Sequence, residues 1–165
     1  KDNAYDVLIT FQVIEHIKDD GLFLKELHRV LKPGGIALVT TPNRKMSLTR
    51  NPWHIREYLA DELKTLAQKY FSKVEMRGIT GNEKVMAYYQ ENKKSVERIT
   101  RLDVFNLQYR LPASILRIPY ELMNRWNRNK LQHQDQSLVK EIHHSDYLET
   151  TNAADALDLF MICYK

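Results

Sequence analysis

The sequence predicts an α/β fold that opens with a strand, a helix and a second strand. Residues 6–11 form a nearly continuous run of β-branched and apolar side chains, the pattern of a strand buried on both faces. Residues 36–41 form a second run of the same kind. Between them, apolar residues recur at steps of three and four, the spacing of an amphipathic helix: Phe23, Leu24, Leu27 and Leu31. Because one helix separates the two runs, the unit predicts parallel strands.

The sequence also indicates where this helix begins and ends. Asp19 and Asp20 precede its apolar residues, and aspartate is a favoured N-cap. Residues 32–35 read Lys-Pro-Gly-Gly, which combines a ring that cannot continue a helix with glycines that can turn left-handed. The helix is therefore expected to stop before this segment.

The rest of the chain predicts further helices and strands around a long polar and helical stretch. The expected elements are a helix over 60–71, a strand over 73–79, a polar helix over 83–100, short helices over 102–131 divided by Pro112 and Pro119, a loop over 132–140 and a final strand over 157–164. The sequence contains no internal repeat and no low-complexity tract.

The composition is that of a globular protein and excludes several other classes. The chain has 165 residues, 43% of them hydrophobic and 28% charged, which is enough for one domain with a core. Cys163 is the single cysteine, so an internal disulfide framework is excluded and a reducing cytoplasm is favoured. No apolar stretch reaches the roughly 20 residues of a membrane-spanning helix. We therefore expect a cytoplasmic protein.

Three separated motifs carry a resemblance to a known family. They read YDVLITFQVIEHI, FLKELHRVLKPGGIALVTTPN and NPWHIREYLADEL, and they occur in the family's order. The sequence resembles the class I S-adenosylmethionine-dependent methyltransferases, most closely the bacterial small-molecule type. The resemblance implies a Rossmann-like sheet whose strands four to seven lie in this chain, with the last strand antiparallel between the two before it. It also implies S-adenosylmethionine as cofactor.

The resemblance covers only the C-terminal part of such a domain. The family binds its cofactor through a glycine-rich turn after the first strand, and none of the five glycines here forms a G-x-G pattern. Residues 1–165 are therefore expected to be the C-terminal part of one methyltransferase domain, with 83–145 as a helical insertion or lid. The chain alone is expected to be inactive. A non-catalytic partner or regulatory domain on the same scaffold is the alternative.

The segment that follows the first strand is the expected cofactor and catalytic region. Ligands of open α/β sheets lie beyond the carboxyl ends of the strands. By resemblance, Phe11, Gln12 and Val13 are expected to lie next to the cofactor. His16 and His54 are the candidate general bases, since a histidine can deprotonate an acceptor hydroxyl before methyl transfer.

A metal-binding interpretation uses some of the same residues. Gln12, Glu15 and His16 have i, i+3, i+4 spacing, so on one helical turn they would share a face, with His54 as a further ligand. This arrangement resembles the small-RNA 3′-terminal 2′-O-methyltransferases. The chain departs from them, because Gln12 replaces an acidic ligand and a second histidine close to His54 is absent. We predict no metal.

Residues 107–130 mix large apolar side chains with arginines. The first interpretation is a helical lid that covers a small-molecule acceptor pocket. The second is a basic amphipathic surface for peripheral membrane contact, with a lipid-like or quinone-precursor acceptor. No recognised nucleic-acid motif is present, so nucleic acid is not an expected partner. An exposed edge along 6–11 predicts self-association of the chain.

Overall fold

The computed structural model describes residues 1–101, 103, 105–134 and 142–165, and it contains one five-stranded sheet with helices. The strands are β1 (Tyr5–Phe11), β2 (Leu31–Pro42), β3 (Lys73–Gly81), β4 (Tyr147–Thr150) and β5 (Asp158–Tyr164). The helices are α1 (Asp20–Val30), α2 (Ala60–Ala67), α3 (Glu83–Thr100), α4 (Leu107–Arg110) and α5 (Ala113–Gln134). The order of strands across the sheet is β1-β2-β5-β3-β4.

The opening strand–helix–strand unit is confirmed. β1 and β2 are parallel, with Thr10 opposite Val39, and α1 connects them. Asp19 caps α1 by accepting a hydrogen bond from the backbone N–H of Leu22 at 2.8 Å. β2 begins earlier than predicted, because Leu31 already pairs with Tyr5 before the glycines.

The antiparallel placement of the last strand is also confirmed. β5 lies between β2 and β3 and is antiparallel to both, so that Met161 pairs with Val39 on one side and Met76 on the other. β4, at the far edge of the sheet, was not predicted. Its four residues are too few to show a periodic pattern.

The prediction that β1 is buried on both faces is wrong. Tyr5, Val7, Ile9 and Phe11 are each about half exposed or more, at 48–61% relative exposure. They alternate along the strand and so lie on one face, and β1 is an edge strand of the sheet. An apolar run shows that a strand can be buried on both faces, but it does not show whether anything covers the second face.

The core lies between the sheet and helices α1 and α2. Its fully buried members come from both helices, from the central strands, from the turn after β1 and from the loop before α2: Ile14, Leu24, Leu31, Ala37, Val39, Tyr58, Leu63, Ala67, Leu159, Met161 and Cys163. α2 ends at Ala67 and not at the predicted residue 71, although Phe71 is also part of the core. Phe71 N–H still donates to the carbonyl of Ala67, which closes one last turn after the helix.

The helices after β3 differ from the prediction at one proline. α3 spans the predicted residues, and Asn82 caps it by accepting from the N–H groups of Lys84 and Val85. Pro119 does not divide the next helix but lies inside α5. A proline removes one backbone hydrogen bond from a helix, and a 22-residue helix can continue past that loss. Of the predicted loop over 132–140, the first three residues belong to α5 and 135–140 lie outside the described residues.

The chain divides into two compact units. The first unit comprises residues 1–46, 54–80 and 149–165, and the second comprises 47–53 and 81–148. The first unit contains most of the sheet, with α1 and α2, and the second contains α3, α4 and α5. The assignment of 83–145 as an insertion within one methyltransferase domain stays a prediction. In the described part of the chain, no helix has both the length and the apolar character that crossing a bilayer requires.

Candidate active site

The carboxyl end of β1 turns sharply at Gln12. The N–H of Gln12 still donates to the carbonyl of Thr40 at 2.9 Å, but its φ of +54° takes the chain out of the strand. Phe11 and Gln12 are exposed here and Val13 is half-buried. The three residues expected beside the cofactor therefore form one rim at the carboxyl end of the first strand, where ligands of such sheets bind.

Glu15 connects this rim to the loop that carries His54. Its side chain is buried, at 1% exposure, and accepts a hydrogen bond from Thr41 Oγ1 at 2.9 Å. Its backbone carbonyl accepts from the N–H groups of Ile55 and Arg56 at 2.8 and 3.2 Å. These bonds hold the residues next to His54 against the single 3₁₀ turn at Ile14–His16.

His54 is oriented by a carboxylate. Its Nδ1 lies 2.6 Å from Glu57 Oε1, and both side chains are only 13% exposed. The pair forms in a loop, since residues 51–59 contain no helix. When Nδ1 carries the proton, its N–H donates a hydrogen bond to the carboxylate of Glu57. The lone pair of the imidazole then lies on Nε2.

The two histidines predicted as candidate bases, His16 and His54, contact each other through their rings. The ring centroids of His16 and His54 are 4.9 Å apart and the ring planes are almost perpendicular. His16 is half exposed, and its Nε2 lies 3.9 Å from Glu15 Oε1. The site thus combines an exposed imidazole, a part-buried imidazole and a buried carboxylate.

Tyr58 fixes the end of the His54 loop and was not singled out in the sequence. It is fully buried, and its hydroxyl donates to Asp20 Oδ2 at 2.8 Å. Burial raises the pKa of Tyr58, and the hydrogen bond to Asp20 acts in the same direction, so the phenol stays protonated. Arg56 pairs with the same Asp20 oxygen at 3.1 Å. Tyr58 therefore has a structural role beside the site.

Asp158 is a second acidic group at this end of the sheet that sequence reasoning missed. It is the first residue of β5. Burial raises its pKa and the charge of Glu15 adds to that effect, while a hydrogen bond from the side chain of Gln12 acts in the opposite direction. One aspartate before an apolar strand is too common a pattern to have identified it.

Within the described ranges, Glu15, His16 and His54 form the cluster that could hold a metal ion. One candidate ligand atom from each lies within 4.8 Å of the others. Gln12 does not join them, because its left-handed backbone breaks the helical turn on which the shared face depended, and its side chain bonds Asp158. The proposed face of Gln12, Glu15 and His16 is therefore wrong, whereas the approach of His54 was expected correctly.

Comparison with known proteins finds similarity to methyltransferases in part of the chain. Residues 1–39 match the family model described as a methyltransferase domain. A "probable S-adenosylmethionine-dependent methyltransferase" of Mycolicibacterium smegmatis is 46% identical over 72 residues, which cover 41% of this chain and 28% of that protein. This part of the chain is similar to S-adenosylmethionine-dependent methyltransferases. The match spans little more than a quarter of the length of this curated methyltransferase.

Two further methyltransferases add detail. The ubiquinone biosynthesis O-methyltransferase of Caulobacter vibrioides is 50% identical over 42 residues, which cover 26% of this chain and 17% of that protein. The fold resembles a solved structure from Thermotoga maritima described as a methyltransferase, possibly acting on histamine, with a TM-score of 0.54 and 14% identity. That likeness covers 100% of this chain and 58% of the other. It confirms the Rossmann-like methyltransferase fold.

Proposed function

We propose that this chain takes part in the transfer of a methyl group from S-adenosylmethionine to a hydroxyl group of a small molecule. The observation that carries the proposal is the His54–Glu57 pair, which meets His16 beside the rim of Phe11, Gln12 and Val13. An imidazole held by a carboxylate is the arrangement that removes a proton from a hydroxyl. The similarity to an O-methyltransferase supports oxygen as the methylated atom.

The rim fits part of the cofactor. The exposed ring of Phe11 offers a surface on which the adenine can stack. Phe11, Gln12 and Val13 would hold the cofactor at this end of the sheet. When bound, S-adenosylmethionine supplies a methyl group activated by a positively charged sulfur.

The residues of the chain act on the acceptor. His54 Nε2 takes the proton of the acceptor hydroxyl, and Glu57 stabilises the imidazolium that results. His16, edge-on to His54 and half exposed, positions the acceptor oxygen by a hydrogen bond. Methyl transfer is an in-line displacement, so alignment of the acceptor oxygen is the other contribution of the site.

Calorimetric titration of S-adenosylhomocysteine into the chain tests the cofactor assignment. We expect Phe11→Ala to weaken binding about tenfold, which is a typical loss for one aromatic stacking contact. Tyr5→Ala is the matched control, because Tyr5 is equally exposed on the same face of β1 at the opposite end. Equal effects of the two variants, or no effect of either, would contradict the assignment of the rim.

Methyl transfer is then measured with the natural polypeptide that carries this chain. We expect the His54→Gln variant to lose turnover but still to bind S-adenosylhomocysteine. A natural polypeptide that neither binds the cofactor nor transfers a methyl group would favour the non-catalytic partner domain instead.

A second candidate is a peripheral membrane methyltransferase on the cytoplasmic face of a bilayer. One side of α5 carries four large apolar residues at steps of three, four and four, each 56–71% exposed: Ile115, Ile118, Leu122 and Trp126. The opposite side of α5 contacts α3. There, the α5 residue Asn127 forms hydrogen bonds with Ser95 and Asn92 of α3. The sequence of α5 also has four basic residues against one acidic residue. An apolar stripe on a basic helix is typical of binding to anionic lipid.

Co-sedimentation with phosphatidylglycerol vesicles tests this candidate. Binding should exceed binding to phosphatidylcholine vesicles and should fall in the double variant Ile118→Ser, Leu122→Ser. Leu22→Ser is the control, since Leu22 is an exposed leucine of α1 in the other unit. Absence of binding to anionic vesicles would remove the candidate.

A further inference from the structure

The second unit contains a cavity that the proposed methyl transfer does not use. Its volume is about 440 Å³, and it lies among the end of α3, α4 and the first half of α5. Most of its wall is apolar and includes Phe105, Leu107, Leu111, Leu116 and Met123. This volume is within the range of small-molecule sites. Every lining residue belongs to the second unit, whereas His16 and His54 belong to the first. The cavity is therefore a site separate from the two histidines.

One cationic group interrupts the apolar wall. The half-buried side chain of Arg50 donates from Nη1 to the carbonyls of Gln108 and Leu111 at 3.0 and 3.2 Å. These bonds fix the guanidinium in place but do not neutralise its charge. Among the described residues, Arg50 forms no ion pair.

The acidic residue in the same wall forms no ion pair with Arg50 and binds backbone groups instead. Asp103 uses one carboxylate oxygen to accept from the N–H of Leu107 at 2.7 Å and the other to accept from the N–H of Gln108 at 3.0 Å. It thereby holds the start of α4. The cavity therefore has an apolar interior and two charged groups on its wall: Asp103, which is held by backbone N–H groups, and Arg50, which has no carboxylate partner among the described residues.

We propose that this cavity binds an apolar carboxylic acid, with its hydrocarbon part in the cavity and its carboxylate on the guanidinium of Arg50. Hydrocarbon removed from water accounts for most of the affinity, since the wall offers few polar groups. The carboxylate pairs with a part-buried cation that has no acidic partner, and guanidinium matches carboxylate in shape as well as charge. A neutral ligand of the same shape would desolvate Arg50 without pairing it, so the site selects the acid.

Titration of the chain with dodecanoate and with dodecan-1-ol, below the concentrations at which they aggregate, tests the proposal. The two probes share a hydrocarbon chain and differ in charge. We expect one dodecanoate to bind per chain, at least about tenfold more tightly than the alcohol, as one charge-assisted hydrogen-bonded pair provides. Equal affinities, or no saturable binding of dodecanoate, would overturn the proposal.

Two pairs of variants locate the site. Arg50→Met should abolish the preference for the acid while the alcohol still binds, and Arg110→Met, which removes an exposed arginine of the same unit, should leave the preference intact. Met123→Trp should fill the cavity and prevent binding of both probes. Leu122→Trp is its control, because the neighbouring Leu122 side chain is 62% exposed and does not line the cavity.

Circular dichroism establishes that each variant is folded before it is titrated. If Arg50→Met does not fold, Met123→Trp against Leu122→Trp decides the location of the site. Equal loss of binding in these two variants would place dodecanoate on the exposed face of α5 and overturn the cavity assignment. The proposal stands or fails independently of methyl transfer, because its readout is binding of a probe and not turnover.

Discussion

His54 Nδ1 lies 2.6 Å from Glu57 Oε1 in a loop that has no helical structure. The loop is held at two places: the carbonyl of Glu15 accepts from the two residues after His54, and the buried Tyr58 hydroxyl bonds Asp20. The geometry of the pair therefore depends on contacts with the end of β1 and the start of α1. It makes Glu57 the positioning residue of the proposed base.

Replacing Glu57 should impair turnover more than binding. For Glu57→Gln we expect kcat to fall about ten- to a hundredfold, the usual cost of losing a supporting carboxylate, with the KM for the acceptor little changed.

The control for this variant is Glu91→Gln. Glu91 is exposed and pairs with Lys94 at 2.6 Å, so the substitution removes a charge of the same kind away from the histidines. An unchanged kcat in Glu57→Gln, or equal changes in kcat and in the KM for the acceptor, would show that Glu57 only stabilises the loop.

Zinc should inhibit the proposed reaction. If His16 and His54 act through their lone pairs, Zn²⁺ bound between them and Glu15 occupies the groups that the reaction needs. We expect micromolar Zn²⁺ to lower turnover, EDTA to restore it, and His16→Gln to reduce the sensitivity to zinc. Loss of activity on treatment with EDTA, with recovery on addition of a divalent ion, would show that the cluster is instead a required metal site.

Several helices and strands of the chain were predictable because their patterns are local. The bounds of α3 and the cap at Asp19 follow from hydrophobic spacing and from the chemistry of aspartate at a helix start. The position of β5 between two earlier strands came from the family resemblance. The exposure of Val7 and Ile9 could not be predicted, since it depends on which side chains cover β1 and not on β1 itself.

The candidate site was predictable as residues but not as an arrangement. His16 and His54 were both expected from their places after strands. Their contact depends on the carbonyl of Glu15 accepting hydrogen bonds from the N–H groups of Ile55 and Arg56, and a backbone contact of this kind has no sequence pattern. Asp158 was missed although the antiparallel placement of β5 was expected, because one aspartate at the start of an apolar strand is too common a pattern to mark a site.

The chain should self-associate through β1. β1 is at the edge of the sheet, and its exposed face carries Tyr5, Val7, Ile9 and Phe11. We expect multi-angle light scattering to show dimers or larger species, and Val7→Lys with Ile9→Lys to shift the chain to monomer, because lysines at an edge oppose pairing. Leu22→Lys, an exposed leucine of α1, is the control. A monodisperse monomer of the unsubstituted chain would contradict the prediction.

Asp158→Asn should stabilise the fold at neutral pH. Burial raises the pKa of Asp158 above its ordinary value of 3.8, so the folded state favours the neutral carboxyl. That stability is present below pH 3.8 and is lost as the pH rises through the raised pKa. Asparagine keeps a neutral side chain at every pH and still accepts a hydrogen bond from Gln12. The free energy of unfolding of the variant should therefore exceed that of the unsubstituted chain at pH 7, and the difference should disappear in acid.

Asp155→Asn is the matched control, with the opposite sign. Asp155 is exposed, and its hydrogen bonds with Lys45 and Asn152 lower its pKa, so its stabilising effect is present at neutral pH and is lost as the pH falls. Urea denaturation of both variants over a pH series should give a gain for Asp158→Asn and a small loss for Asp155→Asn, both vanishing in acid. A loss at pH 7 in Asp158→Asn would mean that the ionised carboxylate is stabilised by Gln12 more than burial destabilises it.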